Sequence, residues 1–178
     1  GEYLPQWHPW GDHRNSYSAR RDLGGGAVLT LIHPLDYLLW LFGEVTRIHS
    51  SISSVDPLQT ETGDDLAEIT LEFESGMIGQ VHLDYIQSPP VHTLTVVGDG
   101  GRVYLQFHTE SLTWQARDGS TSVDTAPDGF ERNVMFMDEM KHFLERVEQR
   151  EPTCVPLEDG IAALKLAIAA KSDAANGY

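Results

Sequence analysis

The chain has 178 residues, of which 40% are hydrophobic, and it carries a formal net charge of −15. This length and composition are enough to bury one hydrophobic core, so we expect a single domain over residues 1–178. Proteins that bind nucleic acids or anionic membrane surfaces need a basic surface, and the acidic balance therefore excludes both kinds of partner.

The sequence also indicates the compartment. A single cysteine, Cys154, rules out an internal disulfide and fits a reducing environment. No charged segment followed by an apolar one opens the chain, so we expect no signal peptide. His33 and Asp36 interrupt the longest apolar run, so we expect no membrane span. These observations predict a cytoplasmic protein.

Residues 2–21 are rich in proline, glycine and aromatic side chains, which is typical of a loop. We expect this loop to lie over the helix that follows and to contribute Trp10, Tyr17 and Arg20 to a substrate pocket. The alternative is structural, with Trp7 and Trp10 filling the edge of the core.

A helix is predicted over residues 24–42, because apolar side chains recur there at helical intervals. Pro34 removes the hydrogen bond to the Thr30 carbonyl, so we expect a kink beside His33. Gly43 is expected to end the helix.

This helix carries the chemistry-bearing residues. His33 and Asp36 are three positions apart, so both can point at one small volume. An imidazole titrates near working pH and can accept a proton from a hydroxyl, and a nearby carboxylate can orient it. Thr30 can hydrogen-bond His33 or a substrate. The alternative is that His33 is a core histidine and Asp36 a surface acid.

The rest of the chain predicts an α+β fold. Alternating segments indicate about six strands, followed by two amphipathic helices over residues 130–148 and 157–174. Short turns favour antiparallel pairing, so we expect an open, mostly antiparallel sheet with helices packed on one face. The predicted strands cover residues 45–55, 66–73, 77–87, 91–97, 102–107 and 111–116.

Neither glycine cluster has the pattern of a dinucleotide site. That fingerprint needs G-x-G-x-x-G between a strand and a helix. Gly24–Gly26 follows no strand, and residues 98–101 lie in a predicted hairpin. We also expect no metal site, because His8 and His13 have no further ligands at useful spacing.

The order of the motifs resembles the C-terminal domain of the Gfo/Idh/MocA oxidoreductases, the NAD(P)-dependent sugar and cyclitol dehydrogenases. The resemblance covers essentially the whole chain. It rests on Trp7-His8-Pro9-Trp10, Tyr17-Ser-Ala-Arg20, GGG-x6-H-x2-D, Trp40-Leu-Phe-Gly43, Asn133-Val-Met-Phe, Pro156-Leu-Glu-Asp159-Gly160 and Ala169-Ala170-Lys-Ser172.

The resemblance implies roles for two residues. His33 matches the family histidine that lies by the nicotinamide and shares proton transfer with a lysine of the Rossmann domain. Asp36 matches the acid three positions later. Many members carry an aspartate three or four positions before the histidine, where this chain has Leu29 and Thr30. The substrate subgroup is therefore open.

The resemblance also implies that a dinucleotide-binding Rossmann domain is absent from this chain. We expect NAD or NADP to serve the full-length parent, which would oxidise a CH–OH group of a sugar or cyclitol. The chain alone is expected to be inactive, to bind neither cofactor tightly, and to have no assignable cofactor-binding residues. The alternative is a non-catalytic, stand-alone binding or scaffold module with the same fold.

In this family the open sheet face mediates contacts between identical subunits. The corresponding face here is expected to carry Thr70, Gln80, His82, Tyr104 and Gln106, which mix polar and aromatic character. The resemblance therefore implies a homo-oligomer built through the sheet, and the alternative is a face open to water.

Overall fold

The computed structural model describes residues 1–7 and 9–176, so His8 of the first motif lies outside the described residues. The chain forms two compact units. The first unit comprises Gly1–Pro90 and Leu157–Tyr178, and the second comprises Val91–Pro156. The second unit is therefore an insertion between two parts of the first.

The first unit combines a three-stranded antiparallel sheet, in the order β1-β2-β3, with helices. Alternation in the central strand determines the buried face, where Ile69 and Leu71 are at most 2% exposed. The last helix lies against the edge strand, and the Ser50 hydroxyl donates to the Ala170 carbonyl at 2.5 Å. The elements are α1 (Leu4–Trp7), α2 (Ala27–Thr30), α3 (His33–Phe42), β1 (Val45–Ser53), β2 (Leu66–Phe73), β3 (Ile78–Asp84) and α5 (Leu157–Asn176).

The helix predicted over residues 24–42 is two helices. The backbone leaves the helical region at Leu31, where φ is −100° and ψ is 36°, and α3 begins at His33. Pro34 lies in the first turn of α3 and does not kink the middle of one long helix. The reason is physical: a first-turn amide needs no helical partner, so a proline there costs little. Gly43 ends α3 as predicted, with φ of 83°.

The second unit contains a four-stranded antiparallel sheet, in the order β4-β5-β6-β7, and one helix. The sequence predicts one sheet of about six strands, whereas the described strands number seven and are divided between two sheets. The predicted α+β class and antiparallel pairing are confirmed. The elements are β4 (Thr93–Gly98), β5 (Gly101–Gln106), β6 (Ser111–Ala116), β7 (Thr121–Thr125) and α4 (Arg132–Gln149).

The prolines between β3 and β4 explain the division. Pro89 and Pro90 carry no amide hydrogen, so this part of the chain cannot continue a ladder of strand hydrogen bonds. β3 ends at Asp84, whose carboxylate Oδ1 accepts the amides of Ile86 and Gln87 at 2.8 and 2.6 Å. The chain therefore turns away from the first sheet before it reaches the prolines.

The division corrects the predicted oligomer face. Thr70, Gln80 and His82 belong to the first sheet, whereas Tyr104 and Gln106 belong to the second. The five residues therefore do not form one sheet face. Alternation separated the two faces of β2 and most of β3, where only Asp84 is buried against expectation, but alternation contains no information about which strands share a sheet.

Candidate functional site

His33 and Asp36 lie on the exposed side of α3. Leu35 and Leu38 of the same helix are at most 5% exposed and face the core. His33 and Asp36 are exposed, and Trp40, one turn beyond Asp36, is 81% exposed. The hypothesis that His33 is a core histidine is therefore wrong. Within the described part of the chain, no hydrogen bond or ion pair engages the imidazole or the Asp36 carboxylate, so both groups are available to a ligand.

Thr30 occupies a different environment, although it is only three positions from His33. It is the last residue of α2, and its hydroxyl is buried without a hydrogen-bond partner among the described residues. The break at Leu31 separates the buried hydroxyl from the exposed imidazole. Three residues span at most about 11 Å, which limits the distance between the Thr30 and His33 backbones.

The glycines before α2 allow a close approach of the chain to itself. Gly26 has a φ of 108°, and a Cβ there would overlap the Asp64 carboxylate. A Cβ at Gly25 would overlap the Tyr17 carbonyl oxygen. Packing therefore explains Gly25 and Gly26, where only glycine leaves room for these groups, whereas Gly24 has open space and a left-handed φ of 80°.

Asp64 occupies the N-terminus of α2. Its carboxylate Oδ1 accepts the Val28 amide at 3.1 Å, and its Oδ2 forms a buried ion pair with Lys171 of α5. Burial raises the pKa of the Asp64 carboxyl, and Lys171 and the Val28 amide offset only part of that rise. The Asp64 carboxylate therefore already accepts a free amide at the N-terminus of α2, the kind of donor that a phosphate would otherwise bind.

The three loop residues that the sequence predicts to bind substrate differ in their surroundings. Tyr17 is 55% exposed and Trp10 is 82% exposed. The Arg20 guanidinium is engaged by Asp22, with Nη2 and Oδ2 2.5 Å apart. Trp7 packs edge-on against Tyr85, with ring centroids 5.8 Å apart, so the core-filling alternative describes Trp7 but not Trp10.

Sequence patterns did not single out Tyr85, which lies at the centre of this region. Its ring is fully buried, and its hydroxyl donates to the Ser18 carbonyl at 3.3 Å. The same carbonyl accepts the Gly26 amide at 2.9 Å. A signal was present, because Tyr85 extends the buried alternation of Val81 and Leu83, and a tyrosine there brings a polar group into the core.

The second unit contains a cavity of its own, with a volume of about 650 Å³. Its lining comes from α4 and from residues 153–155, and it includes no residue that the sequence predicts as part of a site. In the described ranges, 1–7 and 9–176, no three His, Cys, Asp or Glu side chains converge on a possible metal position. No single described helix is long and apolar enough to cross a membrane; residues 21–30 and 33–42 meet that criterion only as a pair, bent by 49°.

Comparison with known proteins decides the family. Residues 2–104 match the model of the GFO/IDH/MocA C-terminal domain, and this match covers more than half of the chain. The chain belongs to this family. The matched range includes His33, Asp36, the GGG motif and the whole first sheet. No curated protein matches the chain significantly.

Solved structures agree with the family fold. Levoglucosan dehydrogenase in complex with NADH has a TM-score of 0.79 at 18% identity, and the match covers 98% of this chain and 55% of that one. Aldose-aldose oxidoreductase from Caulobacter crescentus has a TM-score of 0.79 at 21% identity, covering 94% and 51%.

A third solved structure also has a similar fold. UDP-N-acetylglucosamine 3-dehydrogenase GnnA from Acidithiobacillus ferrooxidans has a TM-score of 0.71 at 17% identity, covering 86% of this chain and 48% of that one. At these identities the likeness establishes the fold of the GFO/IDH/MocA C-terminal domain. The chain spans about half the length of each of these relatives.

Proposed function

We propose that the chain is the substrate-binding half of an NAD(P)-dependent oxidoreductase that acts on a CH–OH group of a sugar or cyclitol. The observation that carries the proposal is the exposed, unengaged imidazole of His33, with Asp36 one turn along α3, in a member of this family. The names of the solved relatives support the class of substrate and cofactor. Two of them are sugar-type dehydrogenases, and one of these two is in complex with NADH.

His33 is proposed to hold the proton of the reacting hydroxyl. Oxidation of an alcohol removes a hydride from carbon and a proton from oxygen, and a neutral imidazole can accept that proton in the transition state. Asp36 is proposed to orient the ring or to bind a second hydroxyl. Both groups lie on one exposed face of α3, which is where a substrate can reach them.

NAD or NADP is proposed to bind outside this chain, as the hydride acceptor of the full-length enzyme. The Tyr17 carbonyl crowds Gly25 and the Asp64 carboxylate crowds Gly26, which supports placing the pyrophosphate elsewhere. The residues of this chain are therefore proposed to bind the substrate and to transfer the proton. We expect the isolated chain to be inactive and to bind NADH and NADPH weakly or not at all.

Other parts of the prediction stay open. We propose that Thr70, Gln80 and His82, on the polar face of the first sheet, contribute to a homo-oligomer. Tyr17, Arg20 and Trp10 stay candidates for substrate contact. A single domain over residues 1–178 and a cytoplasmic location also stay predictions.

The test is kinetic and uses the longer enzyme that contains a dinucleotide domain. We expect His33→Ala to lower kcat by about 10²- to 10⁴-fold, the usual range for a positioned acid–base group. Asp36→Asn should lower it less. The matched control is His108→Ala, which changes an exposed histidine of the second unit and should leave turnover unchanged.

Three outcomes decide between the hypotheses. A normal rate per folded molecule in His33→Ala would refute the proton-transfer role. No turnover of any sugar or cyclitol with either cofactor, together with measurable sugar binding, would favour the stand-alone binding module. Low-micromolar binding of NADH to the 178-residue chain would contradict the assignment of the cofactor to another domain.

A further inference from the structure

Three buried polar groups around Tyr85 have no hydrogen-bond partner among the described residues. They are the Trp7 indole Nε1, the Ser18 hydroxyl and the Thr30 hydroxyl. Ser18 is 1% exposed. Each of the three residues approaches Tyr85: Trp7 through its ring, Ser18 through its carbonyl, and Thr30 through its hydroxyl, which lies beside the phenol. We call these four residues the Tyr85 cluster.

Unpaired groups of this kind are costly. A buried donor or acceptor without a partner costs about 1–3 kcal/mol, and native proteins leave few of them. The Tyr85 hydroxyl gives its one proton to the Ser18 carbonyl, and its oxygen does not meet the hydrogen-bond geometry of a partner for any of the three groups. A bound oxygen that pairs with any of these groups would remove the cost of burying that group without a partner.

The chemistry of the cluster defines that molecule. An indole N–H only donates, so the ligand atom must accept, whereas the two hydroxyls can donate or accept. Burial, together with the carboxylates of Asp64 and Asp65, raises the pKa of the Tyr85 phenol, and Thr30 offsets only part of this rise. Two carboxylates lie near the phenol, one of them already paired with Lys171, so a neutral oxygen fits the cluster better than a further anion.

We propose that the Tyr85 cluster binds a neutral hydroxyl of the substrate, and that a water molecule takes this place when no substrate is bound. The inference rests on the proposed function and adds a subsite to it. Thr30 connects the cluster to the reacting end, because it is only three positions before His33. One sugar or cyclitol can therefore place one hydroxyl in the cluster and another at the imidazole.

Trp7 is a partly exposed member of the cluster. Its Nε1 is buried, but its side chain as a whole is partly exposed. The ring packs edge-on against Tyr85 and belongs to the four-residue helix α1. Because its indole N–H has no partner among the described residues, the NMR signal of that group should change when a ligand oxygen binds in the cluster.

The experiment follows the indole N–H groups of the 178-residue chain by NMR. The chain has four tryptophans, so Trp7→Phe identifies the Trp7 signal. Glycerol, D-glucose and myo-inositol are titrated in turn. We expect at least one of the two ring polyols to shift the Trp7 signal to saturation, and Ser18→Ala or Tyr85→Phe to weaken that binding by about 3- to 10-fold, the worth of one hydrogen bond. Tyr104→Phe, in the second unit, is the matched control and should bind normally.

Two outcomes would overturn the subsite. One is a Trp7 signal that exchanges magnetisation with water and responds to none of the three probes, which would mean a structural water only. The other is saturable binding that is equally strong in wild type, Ser18→Ala and Tyr85→Phe. The result is separable from the proposed function: polyol binding without turnover in the longer enzyme contradicts the dehydrogenase, whereas turnover with an unresponsive Trp7 contradicts the subsite alone.

Discussion

The two units differ sharply in burial. Every described residue that is buried lies in the first unit, and none lies in the second. The difference is not one of composition. The second unit contains many apolar side chains, and those of α4 from Val134 to Val147 are about half exposed.

The packing of helices against the sheet explains the difference in burial. In the first unit α5 contacts β1 and α2 contacts β2, so the sheet has a covered face. In the second unit α4 contributes no buried residue. Apolar area stabilises a fold only when another layer removes it from water. Stability should therefore be concentrated in the first unit, and matched substitutions in the two units can break or sharpen this comparison.

The largest effect is expected in the central strand of the first sheet. Leu71 is fully buried, so Leu71→Ala removes buried methyl groups and leaves a cavity, at a cost of about 2–5 kcal/mol. Leu144 of α4 is 53% exposed, and Leu144→Ala should cost less than about 1 kcal/mol. Urea unfolding of both variants measures the two costs. Equal costs would contradict the comparison.

The same contrast explains what the sequence could predict of the fold. Strict alternation located β2 with the observed bounds, because this strand has one buried face, and the bounds predicted for β6 also agree with the structure although its burial does not alternate. β7 was missed because all five of its residues are exposed and no alternation marks it. The division into two sheets depends on strand partners, and only Pro89 and Pro90 gave a local signal of it.

The candidate site could be predicted only where its residues are close together in the sequence. His33 and Asp36 lie on one helix, so their spacing alone placed them on one face. The Tyr85 cluster depends on contacts between distant segments: the phenol meets a carbonyl 67 positions away. Single-sequence periodicity cannot reveal such a contact. The role of the GGG motif was hidden for the same reason, because Asp64 is far from Gly26 in the chain.

A smaller effect is expected from two lysines. Lys171 pairs with Asp64, whose side chain is 3% exposed, so Lys171→Met leaves a buried carboxylate without its partner. We expect a loss of about 2–3 kcal/mol, moderated because Lys171 is itself one-third exposed. Lys141→Met in the second unit removes only an exposed pair with Glu145 and should cost at most about 0.5 kcal/mol.

Urea unfolding again provides the measurement, and a double variant identifies the cause. Asp64→Asn removes the charge that Lys171→Met leaves unpaired. If charge burial is responsible, the double variant should be more stable than Lys171→Met alone. A double variant whose loss is the sum of the two single losses would mean that the ion pair does not account for the effect.

The smallest effect is expected from His82 and depends on pH. Its Nδ1 lies 2.6 Å from Glu68 Oε1 and its Nε2 lies 2.8 Å from Asp84 Oδ2. Ionised carboxylates can only accept, so both contacts are hydrogen bonds when both ring nitrogens donate, which is the imidazolium form. Burial alone would lower the pKa of His82, but the Glu68 and Asp84 carboxylates outweigh it and raise the pKa above 6.5.

A histidine pKa that is raised on folding stabilises the folded state below the unfolded pKa. This contribution is fully present below about pH 6.5 and is lost as the pH rises through the folded value. The His82 ring is 48% exposed, so we expect less than about 1 kcal/mol. His82→Gln should therefore lose stability relative to wild type at pH 5.5 and lose less at pH 8.5. His108→Gln, at an exposed position of the second unit, should show the same difference from wild type at both values. Urea unfolding at the two pH values checks this, and a His82→Gln deficit that does not shrink between them would refute the imidazolium bridge.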